Sequence, residues 1–317
     1  MGNRVEQRRG IAYGLAAYGI WGLVPIYWPL MAAASPLEIL AHRIVWSLVL
    51  AALLLLVLRK RGWWHSIATR PILGRLALAA CLIALNWGIY IWAVNAGHVV
   101  EAALGYYINP IISVLLGVLV LRERLVAGQW VAIGLAAVAV VVLAIDYGQL
   151  PWVALILAVS FGCYGLLKKQ VNSGALETMT VESAVLTPVA AGYLIWLQLA
   201  GSAAFGHQGA GLSVLLISTG LVTLTPLLLF AAAATRLPLS TVGLLQYLTP
   251  TAQFLLGVLY FHEAMSTARW IGFGLVWAAL IVLTVVGLRG ARRRQVARSI
   301  DAAARESATA TAARKPA

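Results

Sequence analysis

Long apolar stretches alternate with short polar breaks along the chain, and the pattern predicts helices and no strands. The stretches fall near 11–31, 38–58, 72–95, 100–121, 127–146, 151–167, 178–200, 211–234, 239–261 and 268–288. Each is long enough, at about 1.5 Å per residue, to cross roughly 30 Å of hydrocarbon. The predicted fold class is an all-α integral membrane protein with ten transmembrane helices.

The hydrophobic pattern also repeats. Residues Leu104 to Leu143 recur at an offset of 140 as Leu244 to Leu283, with fifteen of forty positions identical, among them Tyr107/Tyr247, Pro110/Pro250, Trp130/Trp270 and Gly134/Gly274. An odd number of spans separates the copies, so they run through the bilayer in opposite directions. The chain then divides into a cytoplasmic N-terminus (1–10), two inverted five-helix repeats (11–146 and 151–288) and a basic tail (289–317). The tail holds mostly Ala, Arg, Ser and Thr, and disorder is expected there.

Composition removes the soluble alternatives. At 62% hydrophobic and 10% charged residues, too little polar surface exists to wrap a soluble globule of 317 residues. The net charge of +13 is explained by topology: with the N-terminus inside, 21 of the 23 basic residues fall in inner loops or the tail, leaving only Arg269 at an outer end and Arg43 within a span. Both termini are expected inside, and nucleic acid is not an expected partner. The Arg-rich, then apolar, start mimics a signal peptide but is too long, and it reads as a retained first helix. Cys81 and Cys163 fall inside spans as packing residues. No histidine spacing matches a metal site, no Walker A sequence occurs, and no cofactor is expected.

Candidate chemistry lies inside the spans. Tyr106, Asn109, Pro110, Ser113 and Gly117 share one face of the fourth span, and Gln246, Thr249, Pro250, Gln253 and Gly257 share the matching face of the ninth. Such faces, interrupted by prolines that free a carbonyl one turn earlier, belong against a watery cavity or against other helices. Tyr107 and Tyr247 flank them. In the first and sixth spans the deep aromatics Trp21 and Tyr164 either wall a solute site or fill the bundle. Asn86, Trp92 and Asn95 add polar and aromatic groups from the third span, with Asn86 open to a site role or to a helix-to-helix hydrogen bond. The charged positions are sharper signals: His42 and Arg43, with Trp46 one turn deeper, enter the second span from the outer side, and Glu182 enters the seventh from the inner side. Arg43 is a candidate for gripping a solute. Glu182 and His42 are candidates for carrying a coupling proton.

The segments AAYGIWGLVPIYW, EILAHRIVWSL, NWGIYIWAVNAGHVVEAALGYYINP and ATRLPLSTVGLLQYLTP resemble RarD-type members of the EamA branch of the drug/metabolite transporter superfamily, over Gly10 to about Leu288. The resemblance implies a ten-helix bacterial inner-membrane permease, monomeric or homodimeric, that moves small organic solutes without ATP. That branch carries a chloramphenicol-linked name. By motif it carries over His42, Arg43, Trp46, Asn86, Trp92, Asn95, Glu101, Tyr107, Asn109, Pro110, Arg236, Tyr247 and Pro250, without saying which bind solute and which hold the fold. Arg122, where a small residue is common, and the long Ala-rich tail depart from the pattern.

Three function classes follow. A secondary transporter or exporter working by alternating access, with a small-molecule solute, membrane lipid and a coupling proton as partners, uses every feature above. A membrane-embedded enzyme lacks paired carboxylates, a His cluster or a nucleophile with its base. A structural or sensor subunit has no use for matched polar faces inside its spans.

Overall fold

The computed structural model describes residues 2–60, 62–121, 125–171 and 173–313. The first span is Gly2–Tyr27, continued by a 3₁₀ turn over Trp28–Met31. The second to fifth are Pro36–Val57, Arg70–Asn95, Val99–Leu121 and Ala127–Tyr147. The sixth to eighth are Trp152–Val171, Ala175–Leu199 and Ala210–Ala234. The ninth is built from Leu239–Leu245, Leu248–Leu255 and a π turn over Leu256–Tyr260, and the tenth starts at Thr267. Among the described residues, ten helices are long and apolar enough to cross a membrane. This is a helical, multi-pass membrane fold.

Local chemistry sets the element boundaries. The second span starts where Ser35 Oγ accepts the Glu38 N–H at 3.2 Å, with Pro36 in the first helical position, where its missing N–H costs nothing. The fifth stops at Gly148, whose φ of +66° is left-handed and suits glycine.

Two helix expectations are corrected. Pro250 lacks the N–H that would reach Gln246, and the ninth span is interrupted at Gln246 and Tyr247. Pro110, its counterpart, sits inside an unbroken fourth span and is no helix break. That helix packs closely on the sixth span. The expected disorder from residue 289 is also not what the structure has: the tenth span runs on as helix to Ala313. Ala, Arg and Glu are good helix formers, and no proline stands between Thr267 and Pro316. Of the basic residues assigned to the inner side, Arg61, Arg122, Arg124, Arg314 and Lys315 lie outside the described residues.

Packing partners come in matched sets when each span is exchanged for the one five further on. The second packs on the seventh, the fifth on the tenth and the fourth on the ninth; third-with-sixth matches eighth-with-first, fourth-with-sixth matches ninth-with-first, and second-with-eighth matches seventh-with-third. The first half therefore does not bury its own helices separately from the second. Its spans are interleaved with those of the other half around the middle of the bundle.

Close approaches fix that interleaving. A Cβ on Gly220 of the eighth span would lie 2.6 Å from the Trp46 carbonyl carbon and oxygen of the second. Backbone cannot yield as a flexible side chain can, so Gly220→Ala is expected to destabilise the protein by about 1–3 kcal/mol. Gly274→Ala, with nothing within 4 Å of its built Cβ, should be neutral or slightly stabilising. Denaturation of the purified variants in mixed micelles reads the difference.

One end of the bundle carries the basic loops; the opposite end is closed by carboxylates. Glu38 and Glu101 are only 2% and 7% exposed. Glu38 Oε1 accepts the N–H groups of Ala204 and Phe205 at 2.9 and 3.0 Å, and Glu101 accepts that of Val153 at 3.1 Å. Glu263, in the linker before the tenth span, accepts those of Val99 and Val100 at 2.5 and 3.0 Å. Burial pushes its carboxyl above the ordinary carboxylate range, against the pull of those two N–H groups. Each carboxylate thus ties one segment to donors at the start of another helix or in another loop.

Candidate functional site

Arg43 is the centre of the arrangement. It is the eighth residue of a helix that begins at Pro36, so it sits roughly 12 Å below that helix's start. Its side chain is buried, 8% exposed, and Nε donates to Thr223 Oγ1 at 2.9 Å. Thr223 spends its own hydroxyl hydrogen on the Thr219 carbonyl at 2.8 Å, leaving its lone pair for the guanidinium. The guanidinium carbon lies 3.8 Å from the ring centroid of Trp87 and 5.3 Å from that of Trp28. Ionisable groups within electrostatic reach are the phenols of Tyr27, Tyr90 and Tyr106.

The missing partner is the informative part. Among the described residues, no carboxylate forms an ion pair with Arg43. Its two terminal nitrogens make no hydrogen bond, yet neither is sealed from solvent-sized space. Buried charges are ordinarily paired because an unpaired one costs several kcal/mol. Aromatic faces recover about 2 kcal/mol, which leaves a planar fork of free donors facing accessible space. Two further unspent donors belong to its neighbours: Trp28 Nε1 and the Tyr90 hydroxyl are buried without partners. A site made of donors alone suits an acceptor-rich group such as a carboxylate or nitro group.

Other expected residues take their places around this centre. Asn86 is fully used: its Nδ2 donates to the Leu157 carbonyl and Ser160 Oγ, both at 3.0 Å, and its Oδ1 accepts from Tyr106 at 3.1 Å. It clamps the third span to the sixth and holds Tyr106 beside Arg43, so it positions the site without offering it a free group. Asn86→Leu should cost about 1–3 kcal/mol, because Tyr106 and Ser160 would be left underpartnered in the interior. Thermal denaturation in detergent measures this. His42 accepts from Trp46 Nε1 at 3.2 Å through Nδ1, which places the proton of the neutral ring on the unpartnered Nε2. Its ring lies tilted against that of Phe205, with centroids 4.7 Å apart.

The two polar stripes face their packing partners. Thr249 Oγ1 donates to the Tyr18 carbonyl at 2.9 Å and Gln253 Nε2 to the Trp21 carbonyl at 3.1 Å, which fastens the ninth span to the first. Asn109 meets the sixth span, where its Oδ1 lies 3.5 Å from a Cβ built on Gly162, and that oxygen is buried without a partner. Trp21 packs among Tyr18 and Phe230 at 5.6 and 6.0 Å. Tyr107 and Tyr247 lie away from Arg43 on an apolar groove of about 460 Å³ between the fourth, ninth and tenth spans, bonded to Thr251 at 2.8 Å and Thr284 at 3.5 Å. Trp92 stands near the end of the third span, 37% exposed, stacked on His98 and tilted against Trp152. Asn95 ends the third span at that same end, with Oδ1 buried and unpartnered.

At the basic end, Glu182 has the partner that Arg43 lacks. It is 1% exposed, accepts from Lys168 Nζ at 2.8 Å and from the Tyr164 hydroxyl at 3.2 Å. Lys168 also donates to Thr178, and Lys60 pairs with Glu177 at 2.5 Å nearby. Sequence reasoning took Lys168 for a loop charge. The signal that could have found it was the short turn between the sixth and seventh spans, which folds Lys168 back toward Glu182.

The chain resembles known proteins along its whole length. Residues 8–145 match the EamA-like transporter family. A protein RarD of Streptomyces exfoliatus is 56% identical over 98% of both chains. An uncharacterized transporter of Bacillus subtilis, YojE, is 44% identical over 88% of this chain and 94% of its own. A solved crystal structure, 17% identical, superposes with a TM-score of 0.59 over 88% of this chain and 98% of the other, a likeness of fold alone. With its helical membrane fold and this identity, the chain belongs to the EamA-like transporter family as a RarD-type member, a membrane transporter.

Proposed function

We propose that the protein is a secondary active transporter of small organic metabolites or drugs, and that Arg43 anchors the solute through a carboxylate or nitro group. The observation that carries this reading is the free guanidinium fork, buried among Trp28, Trp87 and Tyr106 with no carboxylate of its own. A permanent charge without a counter-charge is costly inside a membrane. A solute that supplies the counter-charge is bound by the same energy that its absence costs. The aromatic walls select a flat organic body over a simple ion; a neutral nitroaromatic such as chloramphenicol offers the fork acceptor oxygens but no counter-charge, so an aromatic carboxylate fits the site better.

Access would alternate between the two ends. The carboxylate ties at one end and the Lys168–Glu182 and Lys60–Glu177 pairs at the other are bonds that a rocking motion would break in turn. Glu182 is our candidate for the coupling proton in a bacterial inner membrane with both termini inside, because protonation would release Lys168. Exchange of one solute for another is the alternative drive.

Two experiments bear on this reading. Reporter fusions after Lys60, Lys169 and Arg236 are expected to read cytoplasmic, and those at Gln149 and His207 periplasmic; a cytoplasmic signal at Gln149 would remove the inversion. A solute screen in proteoliposomes with imposed pH gradients should find an acceptor-bearing aromatic solute that accumulates. Failure of every such solute to cross would contradict the function proposed.

A further inference from the structure

The two halves carry matched cation boxes. Glu182 is the eighth residue of the helix that starts at Ala175, as Arg43 is of the helix that starts at Pro36, so two charges of opposite sign stand equally far into their helices. Around each lies the same set of parts. Arg43 has the Trp87 face at 3.8 Å and donates to Thr223, whose hydroxyl hydrogen goes to the Thr219 carbonyl. Lys168 has the Tyr164 ring at 5.6 Å and donates to Thr178, whose hydroxyl hydrogen goes to the Gly174 carbonyl at 3.0 Å. One difference separates them: the first box has no carboxylate, and the second is filled by Glu182 at 2.8 Å.

We infer that Lys168, Tyr164 and Thr178 form a second station for the carboxylate of the solute, at the basic end, and that Glu182 occupies it as an internal stand-in. The inference rests on reading Arg43 as a solute anchor. It adds where the anion goes when it leaves Arg43. Burial of the occupying group supports the station: Glu182 is 1% exposed, whereas the Lys168 side chain is 23% exposed and can be reached from the basic end. An incoming carboxylate meets a cation, an aromatic face and a hydroxyl already arranged for one. It has only to displace a tethered carboxylate of equal charge, so the exchange leaves the charge of the station unchanged.

The test uses the full chain in nanodiscs and radiolabelled benzoate, a small aromatic carboxylate, in saturation binding. Glu182→Gln keeps the shape but removes the competing negative charge, so benzoate displaces the neutral amide from Lys168 and this variant should bind one more benzoate per chain than the wild type. The added binding should vanish in Glu182→Gln/Lys168→Gln. No gain in Glu182→Gln, or a gain that survives loss of Lys168, overturns the second station. Arg43→Ala reads the other site separately: wild-type binding that this change leaves intact contradicts Arg43 as an anchor, whatever Glu182→Gln does.

Discussion

Arg43→Ala is expected to lower solute flux in proteoliposomes by about 100-fold or more while the protein still inserts and folds. Truncating one partner of a buried charged contact costs about 2–5 kcal/mol, and each 1.4 kcal/mol is tenfold in binding. The fold should tolerate the loss, since the free protein no longer buries a cation without a counter-charge. Arg43→Lys should recover only part of the flux. An ammonium on a flexible stem can face Trp87, but it cannot make the two parallel bonds of a guanidinium fork to a carboxylate or nitro group. Wild-type flux in the Ala variant at matched protein would place Arg43 among the packing residues.

Glu182→Gln should uncouple flux from the proton gradient and leave exchange running. The amide keeps the size of the side chain but cannot gain or lose the proton, and its neutral oxygen accepts from Lys168 more weakly than the carboxylate does at 2.8 Å. Lys168 is partly exposed, so freeing it leaves a charge that water can reach. The expected result is a severalfold lower accumulation under an imposed pH gradient with unchanged counterflow of solute. An unchanged gradient response would sink the coupling role and leave the ion pair as a latch.

Much of the fold was legible because the membrane makes the sequence rules strict. Backbone groups in hydrocarbon must be bonded within a helix, so apolar length alone located the ten spans, although the first helix starts already at Gly2 and the tenth runs on to Ala313. Arg43 was visible for the same reason, being a charge where charge is costly. What surrounds it was not. Trp28 and Thr223 come from the first and eighth spans, and nothing in a single sequence states that those spans meet the second. Asn86 and Thr249 showed as polar groups, but their use in bonds between helices depends on which neighbour each face meets. Pro110 misled because a proline can remain in an unbroken helix that is well packed on its neighbour.

The central claim is that the unpaired guanidinium of Arg43 holds the transported solute. Its most direct test is equilibrium binding of the solute found by the liposome screen to the wild-type protein, Arg43→Lys and Arg43→Ala in nanodiscs, with folding checked by monodispersity and Tm. A dissociation constant raised by about 30-fold or more in Arg43→Ala, with Arg43→Lys in between, is the predicted result. Equal affinity for all three proteins would contradict it.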